Sequence, residues 1–181
     1  MISFSANAQN VTSPEEFFGF RMGEDRRLAE WVKLVEYYNL VNEQSDRIKV
    51  VNMGATEMGY PFLALYISTP ENLARLDEIK AYNDKLVDPR GISMSEIDEA
   101  VENSVAIVVQ SFGIHSNEVA APQTAAETVH DMLTRNDEDM MRILNETLSI
   151  FIPAFNPDGQ KMVVDWYNSN VGTEYETSPL P

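Results

Sequence analysis

The stretch Val105-Ala106-Ile107-Val108-Val109-Gln110, followed four residues later by His115-Ser116-Asn117-Glu118, decides the fold of this chain. The first five residues are apolar and do not alternate with polar ones, which predicts a buried, central strand of a sheet. A helix is expected to start near Val119, so the histidine and the glutamate lie at a strand-to-helix turn. Such a turn can direct one imidazole and one carboxylate to the same point. These two groups are two-thirds of a His/Glu/His zinc site, the catalytic type that keeps one position open for water.

Composition limits the class of protein and the type of site. The chain has 181 residues, 44% of them apolar and 23% charged, which is ordinary for one soluble domain with a sizeable core. Its net charge of −16 argues against nucleic-acid binding, because phosphate contacts need clustered Lys and Arg. No apolar run is long enough to span a bilayer. There is no cysteine, so a metal site here must use His, Asp and Glu.

Strand and helix patterns alternate along the chain, which predicts an α/β fold with a mixed sheet flanked by helices. Two loops follow apolar strands, one carrying His115 and Glu118 and the other carrying the turn Asn156-Pro157-Asp158-Gly159. If these strands are neighbours, His115, Glu118 and Asn156 meet at one edge of the sheet. Helices are predicted at 14–19, 26–39, 70–82, 93–102, 119–135, 137–146 and 160–167, and strands at 46–53, 60–67, 105–110 and 148–152.

Four segments, in sequence order, resemble segments of the zinc carboxypeptidase family (peptidase family M14). Residues 37–50 resemble the family's helix and first strand, and Gly54-Ala55-Thr56-Glu57-Met58-Gly59 resembles its Gly-x-Thr-x-x-Gly hairpin. Residues 111–118 resemble the metal loop, written G-x-H-x-x-E, and residues 155–159 resemble the Asn-Pro-Asp-Gly turn. Residues 17–23, Phe-Phe-Gly-Phe-Arg-Met-Gly, are similar to the start of a large bacterial branch of the family.

The resemblance covers the N-terminal portion of the family's catalytic domain. It implies a flexible N-terminus at 1–12 and, at 13–181, the N-terminal part of a zinc carboxypeptidase-like domain that is truncated at its C-terminal end. It also implies that His115 and Glu118 are Zn²⁺ ligands, that Asn156 lies near the substrate cleft, and that the substrate is a peptide or protein C-terminus.

The other catalytic groups come later in the family's pattern. They are a second zinc histidine, an Asn-Arg pair that binds the substrate, and a glutamate general base. After Gly159 the chain contains no histidine and no arginine, so the general base and the oxyanion-stabilising arginine are expected beyond Pro181.

Other chemically capable residues are expected to have structural or solvated roles. His130 and Glu127 lie on the predicted helix at 119–135, which should carry them away from His115. Glu174 and Glu176 lie in a polar tail and are expected to be solvated. The aromatic residues are expected to pack, with lining of the cleft as the alternative for the two that follow the turn at 156–159, Trp166 and Tyr167; the others are Trp31, Tyr37 and Tyr38.

Two other functions remain open at this point. One is a zinc amidohydrolase of the aspartoacylase or succinylglutamate desuccinylase type, whose metal loop is similar. The other is a non-catalytic binding module derived from the family. Residues 5–9, Ser-Ala-Asn-Ala-Gln, resemble the end of a secretory signal and favour a secreted or periplasmic protein over a cytoplasmic one.

Overall fold

Four strands form a mixed sheet at the centre of the computed structural model, which describes residues 10–179. In chain order they are β1 (Ile48–Ala55), β2 (Pro61–Ile67), β3 (Ala106–Ser111) and β4 (Thr147–Ile152). Their spatial order is β1-β2-β4-β3. Strands β1 and β4 pair antiparallel with β2, whereas β3 and β4 are parallel. The predicted α/β fold, its mixed sheet and the β1–β2 hairpin are therefore confirmed.

Helices flank this sheet, and several begin at a side chain that caps the first turn. The hydroxyls of Ser13, Thr69 and Ser93 and the carboxylate of Asp137 each accept a hydrogen bond from the backbone N–H three residues later. The helices of the described residues are α1 (Pro14–Phe18), α2 (Trp31–Gln44), α3 (Pro70–Ala74), α4 (Leu76–Val87), α5 (Met94–Asn103), α6 (Ala120–Thr134), α7 (Glu138–Glu146) and α8 (Pro157–Asn170).

Apolar residues on the two faces of the sheet contact different helices. One face contributes Ile48 and Leu65 to a core that also contains Leu34 of α2 and Val129 of α6. On the other face, side chains of β2, β3 and β4 line a groove beside Ile79 of α4. The predicted core residues Trp31, Tyr37 and Tyr38 are all fully buried.

The prediction that a helix begins at residue 26 was wrong, because the segment before α2 is held in an irregular conformation. Arg26 has a left-handed backbone with φ of 61°, and α2 begins at Trp31. Two buried amides fix the backbone of Ala29. The Gln123 side chain accepts from its N–H at 2.8 Å, and the Gln160 side chain donates to its carbonyl at 2.8 Å.

The prediction that β3 is a central strand was also wrong for the described residues. Strand β3 lies at the edge of the sheet and pairs there with β4 alone. Val108 and Val109 point to opposite faces, and they are 46% and 65% exposed. The absence of alternation therefore reflects two apolar faces, which the residues at 10–179 do not cover.

The N-terminal end of the described chain packs against the domain. Val11 is buried and the Thr12 N–H donates to the Gln44 side chain at 2.9 Å, so packing starts before the predicted boundary at residue 13. The segment resembling a signal cleavage region, 5–9, lies outside the described residues. Among residues 10–179, no helix has the length and apolar character needed to cross a membrane.

Candidate metal centre

A glycine directs the chain from β3 into the loop that carries the predicted metal ligands. Gly113 has a left-handed backbone with φ of 59°, a conformation that strains other residues. A Cβ at this position would also lie 3.4 Å from the ring of Pro122 in α6. The loop then turns back on itself, and the Glu118 N–H donates to the His115 carbonyl at 3.1 Å.

The two predicted loops lie side by side because β3 and β4 are parallel neighbours. The Phe155 N–H donates to the Phe112 carbonyl at 2.7 Å, and the Asn156 N–H donates to the Gly113 carbonyl at 3.2 Å. The Asn156 side chain accepts from the Gly159 N–H at 2.9 Å and so caps α8. The expected meeting of these loops at one edge of the sheet is confirmed, and the predicted turn at 156–159 forms the first turn of α8.

His115 and Glu118 contact each other at the exposed surface of the loop. The imidazole Nδ1 lies 2.8 Å from Oε1 of Glu118, and Oε2 accepts the backbone N–H of His115 at 3.0 Å. Hydrogen bonds from the side chain and then from the backbone of His115 lower the pKa of the Glu118 carboxyl, so the carboxylate stays ionised at neutral pH. The side chains are 73% and 42% exposed, which leaves both accessible to a cation from solvent.

The chemistry and spacing of this donor pair fit zinc, but the pair is an incomplete site. Zn–N and Zn–O bonds of about 2.0–2.2 Å in tetrahedral geometry place two donor atoms about 3.3 Å apart. The observed separation of 2.8 Å would therefore need to open by only about half an ångström. Within residues 10–179, no group of three or more His, Cys, Asp or Glu side chains is placed to hold a metal ion.

The second histidine and the nearest glutamate of α6 do not complete the pair. His130 is ten residues beyond the start of α6, about 15 Å along the helix axis. The carboxylate of Glu127 acts on Tyr37 instead: burial raises the pKa of the Tyr37 hydroxyl, and the charge of Glu127 raises it further. His130 is therefore well separated along α6 from the loop that carries His115.

Glu176 has a role that the sequence did not indicate. Its carboxylate accepts two hydrogen bonds from Arg26, at 3.0 and 2.5 Å, and one from the Gly172 N–H at 2.8 Å. Glu176 thus forms a surface ion pair and is partly exposed, whereas Glu174 is exposed as expected. Because Arg26 and Glu176 are 150 residues apart, no local pattern in the sequence could identify the pair.

A cavity of about 390 Å³ lies beside the metal loop. It is bordered by residues 23–28, by Asn117 of the loop, and by Trp166 and Tyr167 of α8. Packing was the preferred expectation for these two aromatic side chains and lining a cleft the alternative; they are partly exposed and line this cavity. The signal available in the sequence was their position shortly after the turn at 156–159.

Asp158 connects the β1–β2 hairpin to the start of α8. One carboxylate oxygen accepts from the Thr56 hydroxyl at 2.5 Å, and the other accepts from the Met58 N–H at 3.1 Å. Thr56 also accepts from the Tyr60 N–H at 3.0 Å, which closes the hairpin turn. The hairpin and the turn at 156–159 are thus parts of one hydrogen-bonded structure that also contains the metal loop.

A comparison with protein-family models identifies the family of this chain. The model described as zinc carboxypeptidase, peptidase M14, matches residues 34–174, and this range includes the hairpin, the metal loop and α8. The chain belongs to the zinc carboxypeptidase family. No curated protein matches the sequence of this zinc carboxypeptidase family member.

Solved structures share the fold of this chain. Thrombin-activatable fibrinolysis inhibitor is 12% identical, with a TM-score of 0.55; the match covers 86% of this family member and 31% of that chain. Carboxypeptidase A from Helicoverpa armigera is 14% identical, with a TM-score of 0.53; here the match covers 90% and 33%. The family member described here therefore spans about a third of the length of these structures.

Proposed function

We propose that this chain is the N-terminal part of the catalytic domain of a zinc-dependent metallocarboxypeptidase, which removes residues from peptide or protein C-termini. His115 and Glu118 are two of its three metal ligands. The observation that carries the proposal is the convergence of their side chains, Nδ1 to Oε1 at 2.8 Å, on the exposed metal loop of a zinc carboxypeptidase family member.

Each residue of the loop has a defined task in this proposal. Zinc, when bound, polarises the scissile carbonyl and lowers the pKa of its water. His115 supplies a neutral imidazole nitrogen and Glu118 an ionised carboxylate oxygen. Asn156 lies at the cleft edge; its Oδ1 is used to cap α8, so its amide Nδ2 is the atom left to contact substrate.

The proposal also extends to groups outside this chain. The third zinc ligand, the general base and an oxyanion-stabilising arginine belong to a portion of the domain that follows residue 181. The 181-residue chain by itself is then expected to be a poor peptidase. The proposal includes the bacterial branch of the family, which residues 17–23 resemble, and a secreted or periplasmic location, which residues 5–9 favour.

Zinc binding by the chain tests the ligand assignment. The affinity for Zn²⁺ is measured by competition with a chromophoric chelator. We expect His115→Ala and Glu118→Ala each to weaken binding by about tenfold or more, because each removes one of two donor groups. His130→Ala is the matched control, since it removes the other histidine of the chain and should leave the affinity unchanged.

The outcomes separate the proposed function from its alternatives. Equal zinc affinity in the wild type and in both ligand variants would contradict the assignment of His115 and Glu118. For a longer form of the protein that contains the missing groups, release of C-terminal residues from peptides supports the carboxypeptidase. Cleavage of N-acyl amino acids but not of peptides would instead indicate the amidohydrolase, and absence of both activities the binding module.

A further inference from the structure

Gly159 occupies a helical position at which a side chain would collide with the metal loop. It is the third residue of α8 and does not have a left-handed backbone. Alanine at such a position would ordinarily stabilise the helix relative to glycine. A Cβ added here would nevertheless lie 2.8 Å from the Cβ of Ser116 and 2.6 Å from Nδ2 of Asn156. Neither distance is compatible with ordinary van der Waals contact.

The overlap of an added Cβ at residue 159 with Ser116 would affect the metal loop directly. Ser116 lies between His115 and Glu118, and its Cβ is bonded to the backbone, so no rotation about χ1 can move it away from Gly159. Only a displacement of the loop backbone, or of α8, can relieve the overlap. Helix α8 is held by contacts outside the loop, because the Asp158 carboxylate is bonded to Thr56 and the Gln160 side chain to the Ala29 carbonyl. The loop is therefore the part that must shift.

We propose that Gly159 is a positioning residue for the metal site. Because Gly159 has no side chain, Ser116 can pack against the first turn of α8. This contact determines the backbone conformation of the loop that carries His115 and Glu118. This inference rests on the proposed zinc site for its functional meaning. Gly159 then affects the conformation of the neighbouring metal loop as well as that of its own turn at 156–159.

The test is Gly159→Ala in the full chain, alone and combined with Ser116→Gly, which removes the Cβ on the loop side. Backbone amide NMR spectra report the loop without any metal, and chelator competition reports the affinity for Zn²⁺. We expect Gly159→Ala to shift the amide signals of residues 113–118 and to weaken zinc binding by about tenfold or more. The double variant should recover most of the wild-type amide signals and most of the wild-type zinc affinity. Its contact between residue 159 and Asn156 remains strained.

Gly19→Ala is the matched control for a general loss of stability. Gly19 has a left-handed backbone with φ of 73° and no atom within 4 Å of its would-be Cβ. The substitution should therefore lower the stability of the chain without touching the loop. Weaker zinc binding in this control, matching that of Gly159→Ala, would overturn the positioning role.

Two further results would overturn the inference in different ways. Unchanged loop amides in Gly159→Ala would overturn the positioning role alone and leave the proposed zinc site standing. A longer form of the protein that contains the third ligand and has no measurable affinity for Zn²⁺ would overturn the proposed site, and the positioning role would fall with it.

Discussion

At the scale of single residues, the carboxylate of Glu118 is the most constrained group of the candidate site. One oxygen lies against the imidazole of His115 and the other accepts the backbone N–H of the same residue. The two contacts fix both the rotamer of Glu118 and the turn between the two residues. The donor atoms are thus brought together by the loop itself, which reduces the reorganisation that a metal ion would require.

The pH dependence of the loop should follow the ionisation of Glu118. Contacts with His115 lower its carboxyl pKa below the ordinary value of 4.5. A lowered pKa in the folded protein means that the stabilisation is present above 4.5 and is lost as the pH falls through the folded-state value. We expect the amide NMR signal of His115 to shift with a midpoint below 4.5. The transition should be absent in Glu118→Gln; a midpoint at or above 4.5 would contradict the contact.

The sequence predicted the donor residues of the candidate site but not the residues that support them. His115, Glu118 and Asn156 could be found because donor types and turn residues are visible as local patterns. The roles of Gly159 and Glu176 could not, since each depends on a partner that only the folded chain brings near. The sequence shows that residue 159 is glycine, but it does not show which neighbour a side chain at this position would contact.

At the scale of elements, the N-terminus of α8 joins the hairpin to the sheet edge. The Asp158 carboxylate accepts one hydrogen bond from a side chain and one from the backbone of the turn at 56–59. An ionised acceptor with two donors forms stronger hydrogen bonds than a neutral one. This connection fixes the hairpin next to the metal loop, although the two are far apart in sequence.

Removing this connection should lower the stability of the domain. We expect Asp158→Ala to reduce the free energy of unfolding by about 1–2 kcal/mol, because two donors lose a charged acceptor. A double-mutant cycle with Thr56→Ala, measured by urea unfolding, should give a coupling energy of about 1 kcal/mol. Glu57→Ala removes an exposed carboxylate from the same turn and should change stability by less than about 0.5 kcal/mol. Additive effects of the Thr56 and Asp158 substitutions would contradict a direct bond.

The sequence predicted which segments are helices and which are strands better than it predicted where each element begins or which strands pair. Periodicity and caps depend on nearby residues, so all four predicted strands are present and α1, α5 and α7 begin close to the predicted positions. The start of α2 depends instead on Gln123 and Gln160, whose amides bind Ala29 from elsewhere in the chain. The place of β3 in the sheet depends on which strands flank it, and apolar composition alone does not determine that.

At the scale of the whole molecule, the sheet has one edge where an apolar strand meets solvent. Strand β3 pairs on one side within residues 10–179, and both of its faces carry exposed valines. An exposed, apolar edge strand can pair with another chain and lead to aggregation. The 181-residue chain should therefore associate at high concentration.

A lysine on β3 should reduce this association. We expect Val109→Lys to lower the apparent mass in light scattering at high protein concentration, because a charge on an edge strand opposes pairing. Val87→Lys is the matched control: Val87 is 75% exposed, more than Val109, but it lies at the end of α4. A similar reduction by both substitutions would show that net charge and not the strand edge controls association.

The two glutamines that bind Ala29 also bear on the order in which the chain folds. Their sequence separations from Ala29 are 94 and 131 residues. At synthesis rates of about 5–20 residues per second, Gln160 leaves the ribosome roughly 7–26 s after Ala29. The segment before α2 is thus among the first to be made and among the last to find its partners. During those seconds the backbone N–H and carbonyl of Ala29 lack the two side chains that bind them in the folded chain.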